Sequence, residues 1–243
     1  MYLRLSPDEE SIKDIFDSFF DAECSIERVR NAEESGFDIT AWERFIETGG
    51  PGMCLPESCG GGGADLTTAA IVANLLGTYV APIPFIEHVV AARLLASLDE
   101  SNANLPLLVT GEMIASLALQ SLHDSTSAIV PAGAIANYII GLRGEELVVA
   151  ENTTDASPLR NTANLPIARN NFDDAIVIAS GEEAQNAYLR AKSEWKALMA
   201  VALTGLGRKA VDIGVGYAKE RYQFGVLIGL SLIHISEPTR PFH

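Results

Sequence analysis

The residues best equipped for chemistry stand near the C-terminal end, in the run Tyr217-Ala218-Lys219-Glu220-Arg221-Tyr222-Gln223-Phe224-Gly225. Arg221 offers a planar, permanently charged fork that matches a phosphate group. Gln223 adds an amide for hydrogen bonds, and Phe224 a ring that can lie against an aromatic ligand face. Gly225 lets the chain turn. The same residues have a plainer reading, in which Arg221 binds the last carbonyls of a helix and Phe224 belongs to the core.

Other motifs carry less. Gly205-Leu206-Gly207-Arg208-Lys209-Ala210 matches the dinucleotide pattern G-x-G-x-x-A. That chemistry requires a strand before the glycines and an acidic residue about 20 positions later. Here residues 211–220 continue as helix, so the glycines are read as small residues that let two helices pack closely. The four glycines at 60–63 lack the Lys-Ser or Lys-Thr that completes a phosphate loop, and they read as a flexible helix–helix connection. Glu57 reads as a solvated or capping carboxylate. Cys24, Cys54 and Cys59 are too few and unsuitably spaced for a disulfide framework or a zinc site, so reduced thiols in a cytoplasmic protein and no metal are expected.

These motifs must be held by elements, and hydrophobic periodicity outlines them. Residues 6–98 read as helical. Ser6-Pro7-Asp8-Glu9 is a capping box, Thr40-Ala41-Trp42-Glu43 repeats that logic, and Asp65 caps a helix over 66–77; another helix covers 85–98. Between about 113 and 178 the period becomes strand-like. Residues 114–119 and 175–179 are short strands, and 138–142 with 147–150 form a hairpin around Arg143-Gly144-Glu145-Glu146. A long helix then runs from 182 to 220. The expected class is α+β: a helical domain over 1–111, a small antiparallel β domain over 112–181, and the start of a helical bundle over 182–229.

Charge narrows the partners. The chain has 243 residues and a formal net charge of −15. Residues 1–100 carry a net of −12 and residues 101–180 a net of −5, whereas 181–243 carry +2. An acidic surface repels phosphate backbones and anionic lipid, so no nucleic-acid or membrane partner is expected. An anionic ligand belongs near the C-terminal segment, where Arg221 lies.

Three stretches together resemble the acyl-CoA dehydrogenase family of flavoproteins. Trp42-Glu43-Arg44-Phe45 leading into Met53-Cys54-Leu55-Pro56-Glu57-Ser58-Cys59-Gly60-Gly61-Gly62-Gly63 is similar to the family's L-P-E-x-x-G-G-x-G region. Ala73-Asn74-Leu75-Leu76-Gly77 followed by Pro82-Ile83-Pro84-Phe85 is similar to its next helix and proline turn. The run from Tyr217 to Gly225 reads as Y-A-x-x-R-x-Q-F-G. The resemblance covers most of residues 1–229. It implies FAD as cofactor, with contacts at Arg221, Gln223 and Phe224 to a flavin bound mainly by a neighbouring subunit. It also implies an acyl-CoA substrate oxidised between Cα and Cβ, an electron-transfer flavoprotein as partner, and a homo- or hetero-oligomer.

The sequence departs from the family in three places. The strand at 114–119 runs into Gln120-Ser121-Leu122-His123-Asp124 where the family has T-E-P-x-x-G-S-D, which bears on whether this chain holds the flavin ring alone. No catalytic base is assigned. A minority of the family carries it near positions 194 and 195, where Trp195 takes the place itself and Glu194 reads as a helix-surface carboxylate. Residues 230–243 resemble translated adapter DNA and are expected to be an artefactual tail on a truncated sequence. Two rivals remain: a non-catalytic partner subunit of a heteromeric dehydrogenase, and a cofactor-free helical binding protein.

Overall fold

The helices begin where side chains can satisfy their first amide groups. In the computed structural model, which describes residues 4–122, 126–151 and 157–230, α1 spans Pro7–Glu23 behind a complete capping box. Ser6 N–H donates to Glu9 Oε2 at 2.6 Å, and Glu9 N–H donates to Ser6 Oγ at 3.3 Å. Then come α2, Ile26–Asn31, α3, Ile39–Glu47, α4, Leu66–Tyr79, α5, Phe85–Leu98, and α6, Leu105–Thr110. Asp65 caps α4 as expected, accepting from Thr68 N–H at 2.9 Å. For α3 the expectation is corrected: Asp38, not Thr40, is the cap, because its carboxylate reaches Ala41 N–H at 3.0 Å while also pairing with Arg28. The positions at His123 and Asp124 and the expected tail from 231 onward lie outside the described residues.

The helical core is aromatic. Phe20, Trp42, Phe45 and Phe85 are buried, and Phe45 lies within 5.5–6.3 Å, centroid to centroid, of each of the other three rings. Gly50 belongs to this packing, since a Cβ there would fall 2.3 Å from the Phe45 ring.

The β region holds β1, Ala115–Leu117, β2, Ser127–Val130, β3, Tyr138–Arg143, β4, Glu146–Glu151, β5, Ala168–Asn171, and β6, Ile176–Ser180. The main sheet has the order β1-β3-β4-β6, and β2 pairs with β5 in a separate ribbon. The β3–β4 hairpin matches the sequence expectation. The sheet is mixed rather than antiparallel throughout, because β1 pairs with β3 in parallel. The chain leaves the main sheet for β2 before returning as β3, so β1 and β3 run the same way.

The remaining elements are α7, Gly181–Glu220, and a hairpin of β7, Tyr222–Gln223, with β8, Val226–Leu227. At 1.5 Å per residue, the 40 residues of α7 extend about 60 Å. Its first half joins the helices to the sheet: Tyr188 Oη donates to Ala118 O at 2.8 Å, in a buried position. Its middle crosses α4 with almost no separation. A Cβ on Gly77 would sit 1.8 Å from Ala202 O, and one on Gly205 would sit 2.0 Å from Asn74 O. Gly205 therefore serves helix packing, as the sequence reading held, whereas Gly207 faces open space.

His88 fastens the helices to the sheet. Its ring is fully buried, with Nε2 2.9 Å from Leu108 O and Nδ1 accepting from Ala115 N–H at 3.2 Å. Those two partners require the neutral tautomer with the proton on Nε2. Burial lowers its pKa from 6.5 to about 4, so the ring is uncharged at neutral pH.

Candidate functional site

The candidate ligand-contacting residues lie where α7 gives way to the terminal hairpin. Arg221 N–H closes the last helical hydrogen bond on Tyr217 O at 2.9 Å, and Ile228 N–H returns to Arg221 O at 2.9 Å. The backbone at Arg221 is thus fixed from both sides. Its exposed guanidinium makes no ion pair among the described residues. Tyr222 pairs with Leu227 and Gln223 with Val226, leaving Phe224 and Gly225 as a two-residue turn. Both turn residues have positive φ, 53° and 80°, as tight hairpin turns of right-handed twist demand. Glycine adopts that conformation freely, but for a phenylalanine it costs about 1–2 kcal/mol.

That turn displays Phe224 at 85% relative exposure, beside Tyr222 at 65%. The reading that places Phe224 in the core is therefore overturned. A cation, an amide and a solvent-exposed ring are gathered on one braced turn. The chemistry of this set suits a ligand that joins a phosphate to an aromatic ring system. The helix leading to it is itself uncovered: Leu203, Val211, Ile213 and Tyr217 are each 58–63% exposed.

Glu194 and Trp195 have different surroundings from those expected. Glu194 is not a free surface carboxylate. Arg93 of α5 grips it through Nε at 3.0 Å and Nη2 at 3.3 Å, while Arg93 Nη1 donates to Cys54 O at 3.0 Å. The pair is more than two-thirds buried and borders a cavity of about 220 Å³ with Ser97 and Arg190. Hydrogen bonding to Glu194 is the largest influence raising the Arg93 pKa above its ordinary value. Both carboxylate oxygens of Glu194 are thus engaged by the one arginine. Trp195 turns to the other side of the seam and donates from Nε1 to Glu87 Oε1 at 3.3 Å. Burial raises the Glu87 carboxyl above the usual carboxylate range.

Arg93, Glu87 and His88 were not singled out from sequence. A signal existed, since they are the only ionisable residues in an otherwise apolar helix, Phe85–Leu98. Their partners are remote in sequence and no local pattern reveals them.

The glycine loop shows why it cannot cradle phosphate. Gly61 N–H donates to Pro56 O, Gly62 N–H to Gly52 O and Gly63 N–H to Leu55 O, at 2.8–3.0 Å. Its amides are spent within the loop. A Cβ at Gly61 would fall 2.4 Å from Leu55 O, so the segment is laced tightly and the expectation of a flexible connection is corrected. Glu57 is exposed, at the start of a short 3-10 turn. Cys24 and Cys54 are buried free thiols, pushed up to about 12 chiefly by burial. No cluster of three or more His, Cys, Asp or Glu suited to a metal ion occurs among the described residues, and none of their helices is long and apolar enough to cross a membrane.

The architecture is thus a helical domain, a small sheet and a long helix that ends in an exposed Arg-x-Gln-Phe-Gly hairpin. Residues 6–111 match the family described as acyl-CoA dehydrogenase, N-terminal domain. The acyl-CoA dehydrogenase IpdE2 of Mycolicibacterium smegmatis is 28% identical over 228 residues, an alignment covering 93% of this chain and 69% of that protein. The crystal structure of the ChsE4-ChsE5 complex from Mycobacterium tuberculosis shares the fold with a TM-score of 0.81 at 19% identity, covering 95% of this chain and 71% of the other. The structure described as PigA with FAD and proline gives a TM-score of 0.79 at 17% identity, covering 96% and 74%. The chain is thus similar to acyl-CoA dehydrogenases over most of its length, with the match to the family's N-terminal domain at residues 6–111.

Proposed function

We propose that this chain belongs to a cytoplasmic, oligomeric, FAD-dependent enzyme that oxidises an acyl-CoA between Cα and Cβ, with residues 1–111, 112–181 and 182–229 as its three domains. The observation that carries the reading is the terminal hairpin, which presents Arg221, Gln223 and Phe224 together on a braced and exposed turn. The donor set suits FAD: Arg221 would hold a phosphate oxygen, Gln223 would hydrogen-bond a polar edge, and Phe224 would lie against a ring. FAD supplies, when bound, a ring system able to accept hydride. The chain's own part at the hairpin is to bind and orient. The helix fixes the arginine at its end, and the two-strand ladder fixes the amide and ring relative to it.

The placement of these residues at the outer tip, away from the buried core, supports a cofactor shared with a neighbouring subunit. The ChsE4-ChsE5 structure, a complex of two differently named chains, agrees with a heteromeric form of that assembly. An electron-transfer flavoprotein is the proposed electron acceptor. No residue of this chain is proposed as the catalytic base, since Glu194 is committed to Arg93.

The test is flavin retention by the purified chain, alone and after reconstitution with an acyl-CoA dehydrogenase-fold partner. Flavin fluorescence quenching reports binding, and bleaching of the flavin band by added acyl-CoA reports reduction. Arg221→Ala and Phe224→Ala should each weaken FAD binding tenfold or more without changing the unfolding midpoint, because both side chains are exposed. Binding only in the presence of the partner supports the shared-cofactor form. No flavin binding under any pairing would favour the cofactor-free helical binding protein and defeat the proposal.

A further inference from the structure

We draw no further inference here: the strongest candidate, the exposed apolar surface of the second half of α7 from Leu203 to Tyr217, is an unpartnered helix face, and nothing in the structure shows what covers it.

Discussion

Replacing His88 by Phe isolates the joint between the helices and the sheet. The ring is fully buried, so Phe keeps most of the packing against Trp42, whose ring lies edge-on at 5.4 Å. What disappears is the pair of hydrogen bonds to Leu108 O and Ala115 N–H. Ala115 N–H is left without its acceptor, whereas Leu108 O still accepts from Gly111 N–H at 3.2 Å, so His88→Phe should lose about 1–3 kcal/mol at pH 7.5. The wild type should also carry a pH dependence that the variant lacks. The folded pKa is about 4 and the unfolded one about 6.5, so between these values only the unfolded chain binds the proton. Stability from this group is therefore fully present above 6.5 and falls as pH drops toward 4. Between pH 7.5 and 5.5 the linkage relation gives a loss of about 1.3 kcal/mol from His88 alone. That window stays above the sequence pI of about 4.6, where the uncharged protein would associate. Urea unfolding followed by tryptophan fluorescence at several pH values measures both effects. Parallel stability profiles for wild type and His88→Phe would refute the neutral, doubly bonded histidine.

Further outcomes follow from the same geometry. Gly77→Ala and Gly205→Ala should each destabilise by about 2 kcal/mol or more, since their methyl groups would collide with backbone carbonyls of the facing helix. Gly207→Ala, in open space, should instead stabilise by up to about 1 kcal/mol, and thermal melts of the three variants distinguish these directions. Arg93→Met and Glu194→Gln should each destabilise by about 1–3 kcal/mol, and the double variant by less than the two losses combined; strict additivity in that cycle would show that the pair is not coupled. Glu87→Gln should raise stability at neutral pH. The folded carboxyl titrates above its unfolded value, so wild-type stability falls as pH rises through that interval, and a variant with no gain there would contradict the burial argument.

Much of the fold was legible because its signals are local. Ser6 with Glu9, Asp65 with Thr68, and the apolar period of residues 85–98 depend only on residues within a turn or two, and each helix forms where expected. The same holds for the β3–β4 hairpin around Gly144. Two short helices, α2 and α6, and the strands β2 and β5 were not legible. Each has only four to six residues, too few to establish a period, and β2 pairs with β5 across some 40 residues of chain. The choice of Asp38 over Thr40 as a cap was also hidden, because Arg28 also engages Asp38 from a different helix.

For the candidate site, sequence by itself determined that Arg221, Gln223 and Phe224 follow a long helix in close succession. The tertiary structure decided how they are presented. A two-residue turn at Phe224 and Gly225, both of positive φ, leaves the ring 85% exposed beside the helix end. Glu194 is the converse case. Its type and position on the helix were visible, but its engagement by Arg93, 101 residues away, was not. Whether a carboxylate is solvated or paired depends on which charge lies within hydrogen-bond reach, and only the packing of α5 against α7 supplies that charge.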